Sequence, residues 1–121
     1  MAASLTIPEP ALGQVRLAAG ALSRFGRIEG TLVDISGGGA GLVVGEYVPR
    51  WSPVILGVHR TAESETALVS AAAVVRRVRM LDRRPSYLIG LGFDGLDDRA
   101  RGELESLLAE IDGVGALEGP A

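Results

Sequence analysis

A helical period occurs in one place in this chain, and only after a long series of short apolar segments with no helix between them. Ala100, Leu104, Leu107, Leu108 and Ile111 recur at i, i+4, i+7, i+8 and i+11, one face of a helix. Ahead of that stretch, apolar runs of strand length alternate with Gly, Pro and polar clusters. Strands without interleaved helices argue an antiparallel sheet, and one apolar helical stripe must cover part of it. The fold class predicted is therefore all-β with a C-terminal helix, a closed or nearly closed antiparallel barrel of six strands.

The segments can be placed individually. Residues 1–13, with Pro8 and Pro10, read as an irregular lead-in, because each proline restricts the residue before it. Gln14–Leu22 reads as a strand with helix as its competitor, since it is rich in Ala. In Gly30–Ile35 the β-branched Thr31, Val33 and Ile35 fall on one face of a half-buried strand. Gly37, Gly38, Gly39 and Gly41 then mark a sharp turn expected to need positive φ. Ala40–Val44 resumes as a strand, Val54–His59 and Ala67–Arg79 form a hairpin around the loop TAESET, and Tyr87–Phe93 supplies the last strand. Asp97 or Asp98 is expected to cap the helix and Gly113 with Gly115 to end it. One domain over 14–113 follows, with 114–121 as a frayed end.

Composition removes whole classes of function. The chain has no cysteine and one histidine, His59. Disulfides, thiolate metal sites, His-based metal clusters and paired acid–base systems are thereby excluded, so neither catalytic residues nor a metal is expected. The N-terminus lacks a basic n-region, and the longest run of apolar and small residues, Ala67–Val75, is far short of a membrane helix. A cytoplasmic protein without membrane insertion is expected. Every basic residue is Arg; residues 1–93 carry ten against seven acids, a balance of +3, and residues 94–121 carry two against eight, a balance of −6. No sustained basic stripe interleaved with aromatics is present, which argues against a nucleic acid polymer as partner. Gly90, Gly92 and Gly95 spell GxGxxG, but no βαβ unit follows to make a dinucleotide-cofactor site of it.

The segment GTLVDISGGGAGLVV carries the strongest motif, Asp34, Ser36 and Gly39 in the spacing [D/N]xSxxG. Asp and Ser in such a turn bond to nearby backbone, and Gly accepts conformations closed to other residues, so the same letters also serve a purely structural turn. With VSAAAVVRRVRM, YLIGLGF and LDDRARGELESLLAEI following in order, the chain from Gln14 to Ile111 resembles the PilZ domain family. That resemblance implies a six-stranded Greek-key barrel with a closing helix, and cyclic di-GMP or protein partners. In the family's receptors an RxxxR motif completes the nucleotide site. Here no arginine precedes Arg16, and the segment ahead of Gln14 reads TIPEPALG. The reading that follows is a signalling adaptor acting through protein–protein contact in bacterial second-messenger, motility or surface-behaviour circuits, with weak or no cyclic di-GMP binding. The alternative is a true cyclic di-GMP receptor, with Arg16, Arg24 and Arg27 joining Asp34, Ser36 and Gly39; a structural oligomerisation unit is a third.

Arg76, Arg77, Arg79, Arg83 and Arg84 form the densest positive cluster. They serve either as a solvated strand end that discourages edge pairing or as a docking patch for an acidic partner or phosphate. Trp51, between Arg50 and Pro53, is either an interface anchor or the plug of a barrel end.

Overall fold

A computed structural model describes residues 1–7, 27–61, 63–81 and 86–114, with side chains through Ile111. Six strands and one helix are present among them: β1 (Ala2–Thr6), β2 (Arg27–Ile35), β3 (Gly39–Val44), β4 (Pro53–His59), β5 (Val69–Met80), β6 (Tyr87–Phe93) and α1 (Asp98–Val114). Every pairing is antiparallel, and the order β1-β2-β3-β6-β5-β4 closes into a barrel through β1 and β4. Closure follows from alternation: Val54, Leu56 and Val58 of β4 face Val69, Ala71 and Ala73 of β5 from the inside, all nearly inaccessible. With so few aromatics, this interior is filled by aliphatic side chains.

Residues 2–6 correct the irregular lead-in expected there, because Ala3 and Leu5 point inward and are buried while Ser4 and Thr6 do not face the core. The barrel's first strand is thus Ala2–Thr6; Gln14–Leu22, expected to supply it, lies outside the described residues. The Gly37–Gly41 turn was expected to need positive φ, yet among the described residues only Gly95, at φ 63°, and Trp51, at φ 74°, adopt it. Room is the constraint at Gly39 and Gly41, whereas a Cβ on Gly37 or Gly38 would meet nothing within 4 Å. A Cβ on Gly39 would run into the backbone carbonyl of Leu91, and one on Gly41 would stand 3.0 Å from the Asp34 carboxylate.

Two β-bulges set which way the strands present their side chains. In β2, Leu32 pairs with Leu42 and Asp34 with Gly41, leaving Val33 as the extra residue. In β5, Val75 pairs with Leu91 and Arg77 with Gly90, leaving Arg76 as the extra residue. An extra residue inverts the alternation of everything beyond it. The expected face of Thr31, Val33 and Ile35 is corrected accordingly: Ile28 and Leu32 point inward before the bulge, Ile35 after it, and Thr31 is exposed.

Asp97 caps helix α1, its Oδ1 accepting the Ala100 N–H at 2.7 Å, and the helix runs through Gly113 rather than ending there. Ala100, Leu104 and Leu107 are buried against the barrel, with Leu108 and Ile111 half-buried beside them. Polar contacts accompany the docking at its edges. The Ser70 N–H donates to Glu103 Oε1 at 3.2 Å, and Arg60 donates twice to Glu110, at 3.0 and 2.6 Å. That fork raises the Arg60 pKa and lowers that of the Glu110 carboxyl, in both cases chiefly through the hydrogen bond between them. No described helix is long and apolar enough to cross a membrane.

Candidate functional site: a glycine-floored cleft with a cationic wall

The Asp34–Gly39 turn is a tight connection between β2 and β3. Ser36 N–H donates to the Gly39 carbonyl at 2.9 Å, the Gly38 N–H donates to Ser36 Oγ at 3.3 Å, and the Phe93 N–H donates to the Gly38 carbonyl at 2.9 Å. Ser36 therefore organises the turn while the last bond ties it to β6. The turn overhangs a cleft of about 630 Å³ on the outside of the barrel, within the range of small-molecule sites.

The cleft's plan is visible in the strand registers. Asp34, Gly41, Gly90 and Arg77 occupy one row across β2, β3, β6 and β5, because Asp34 pairs with Gly41, Gly41 with Gly90 and Gly90 with Arg77. The adjoining row holds Gly39 opposite Gly92. Where the outward positions of β3 and β6 carry no side chain, the sheet surface is hollow. Strands lie about 4.8 Å apart, so the row from Asp34 to Arg77 spans roughly 14 Å. Both bulges sit in this row, and both act on its ends. With strict alternation Asp34 would share the inward side with Leu32, and Arg77 the inward side with Val75. The bulges turn both outward, a placement bulges commonly provide at binding sites.

Arg76, Arg77 and Arg79 form the wall opposite Asp34, three guanidiniums against one carboxylate. Among the described residues none of them has an ion-pair partner. Arg76 also reaches sideways: its guanidinium carbon lies 5.3 Å from the centroid of Trp51, and that of Arg50 lies 4.8 Å from it. Trp51 is 57% exposed, so it does not plug the barrel end.

The cleft thus joins two sets of residues that the sequence kept apart, the motif turn and the β5 arginines. Arg27, expected near the turn, stands at the far end of β2 and lines a separate hollow with Glu29 and Glu46. Arg16, Arg24, Arg83 and Arg84 lie outside the described residues. His59, the lone histidine, is buried beside Ser4 at 3.3 Å, and no group of three metal-ligating side chains occurs among the described residues. A signal for the cleft was present in the sequence: ValValArgArgValArg breaks period two at two consecutive arginines, and GlyAlaGly and GlyLeuGly put alternate glycines on strands that become neighbours.

Gly39→Ala tests the floor. Its Cβ meets backbone that cannot rotate away, so β3 and β6 must separate, and a loss of roughly 1–3 kcal/mol is expected. Urea unfolding measures it; Gly38→Ala, with nothing near its Cβ, provides the comparison.

A small closed barrel with an open, charged cleft on its outer wall defines a binding module. Residues 11–110 match the family model of the PilZ domain, and the chain belongs to that family. Among curated proteins no relative of the chain was found. PilZ domains are generally non-catalytic binding and adaptor domains, and membership makes this chain a cyclic di-GMP-related signalling module.

Proposed function

We propose that the protein is a cyclic di-GMP receptor whose cationic half comes from β5. One observation carries this reading: Arg76, Arg77 and Arg79 line the same cleft as Asp34, Ser36 and Gly39. The missing RxxxR motif argues for weak or absent binding only if nothing replaces it, and three guanidiniums stand ready here. Asp34 repels phosphate but accepts N–H groups of a guanine edge, so the base belongs at the β2 side and the phosphates at the β5 side. The glycine floor lets the ligand lie against backbone between them.

Calorimetry with cyclic di-GMP tests the proposal. Saturable binding, weakened at least tenfold by Asp34→Ala, is the expected result. Absence of heat up to millimolar ligand would return the adaptor reading, contact with a protein partner without the nucleotide, to first place. That second reading has its own support in the exposed Trp51.

A further inference from the structure

We infer that Trp51, Arg50 and Arg76 form a docking point for an acidic segment of a partner protein. The inference does not require a nucleotide in the cleft, but Arg76 belongs to both places, so a bound nucleotide and a docked segment would compete for its guanidinium. Its starting point is the backbone of Trp51, at φ 74°. A bulky residue rarely adopts this left-handed conformation, and such strain persists only where the surroundings enforce it. They do so here. The Trp51 N–H donates to the Val75 carbonyl at 2.7 Å, the Val75 N–H donates to the Ser52 carbonyl at 3.0 Å, and Ser52 Oγ donates to the Pro49 carbonyl at 2.5 Å. Trp51 and Ser52 are thereby stitched to β5, and Ser52 ties Pro49 to them.

The strained residue contributes little to the interior, since its indole is more than half exposed. What the conformation achieves is presentation. The ring is held at a fixed place on the surface with two guanidiniums within cation–π distance of it. Among the described residues neither Arg50 nor Arg76 has a carboxylate partner. A rigid aromatic with pre-oriented cations loses little freedom on binding, which is the economy of an interface anchor.

Charge complementarity selects the occupant. Two arginines around one ring call for carboxylates, with an apolar side chain against the indole. A long polyanion fits poorly, because residues 94–121 carry a balance of −6 and the positive patch is local. A short acidic protein segment matches its size and sign.

Trp51 is the only tryptophan, so its emission reports on the site directly. The probe is a ten-residue peptide of alternating Glu and Leu, titrated at low salt beside a single-stranded RNA decamer. The peptide is expected to shift Trp51 emission saturably, with affinity reduced at least fivefold in Arg50→Ala and unchanged in Arg27→Ala. Equal affinity in Arg50→Ala, no saturable change, or tighter binding of the RNA would overturn the proposal. Trp51→Gly separates docking from folding, because glycine accepts positive φ without strain. This variant should melt no lower than the parent and lose peptide binding, measured by calorimetry. A lowered melting temperature would assign Trp51 a structural role and overturn the inference.

Discussion

Leu104→Ala is expected to lower stability by roughly 2–5 kcal/mol, the largest single effect available outside the barrel interior. Leu104 is 3% exposed and Leu107 4%, although both lie on a helix that touches the barrel on one side only. Their burial is the reason the helix docks. Truncation removes the methyl and methylene contacts and leaves a cavity between α1 and β5 that neither rigid partner can close. The polar contacts around it do not compensate, since Arg60 and Glu110 meet in solvent and such pairs add little. In a domain of this size each kcal/mol moves the midpoint by about 4 °C, so calorimetric melting should fall by roughly 8–20 °C. Leu108→Ala, at a half-buried position, should cost distinctly less. A melting point unchanged in both Leu104→Ala and Leu107→Ala would mean that the helix does not dock.

The second large effect concerns the cleft. Arg76→Ala combined with Arg77→Ala should weaken cyclic di-GMP binding by roughly two to four orders of magnitude. Each charge-assisted hydrogen bond contributes about 1.5–3 kcal/mol net, so two amount to about 3–6 kcal/mol. At about 1.4 kcal/mol per tenfold change, that carries a micromolar ligand to the millimolar range or beyond. Both residues stand outside the barrel core, so the fold should survive and affinity alone should fall. Arg27→Ala, in a different hollow, should leave affinity unchanged. Should the double variant bind as tightly as the parent, β5 would be no part of the site.

How far these features were legible in the sequence depended on whether they were local. The helix was, because five apolar residues at helical spacing identify both the element and its buried face. So was the hairpin of β4 and β5, whose alternating Val, Leu and Ala residues needed only a polar loop between them. The motif turn was recognised, but the cleft it borders depends on which strands become neighbours. β3 lies beside β6, nearly fifty residues away in sequence, and only that pairing brings Gly41 against Gly90. The first strand was missed because Ala2–Thr6 is short and its inward residues, Ala3 and Leu5, are too few to establish a period beside the prolines that follow. The arginines of β5 were read as either a solvated strand end or a docking patch; two consecutive arginines signal the break in alternation, but their place in the motif turn's cleft depends on β5 pairing with β6.

Each bulge is a frameshift in the alternation of a strand. Upstream of Val33 and of Arg76, even and odd positions have one meaning; downstream they exchange it. The core survives because its side chains change parity with the frame, Leu32 giving way to Ile35 and Val75 to Val78. The cleft owes its charges to the same exchange. It follows that the charge of this cleft is encoded in residue count as much as in residue identity. A relative with the same letters and one residue fewer in β2 or β5 would keep its barrel only by carrying a carboxylate or a guanidinium toward the core. Loss or gain of a single residue at these two points is therefore a route by which such a scaffold acquires or discards a charged cleft.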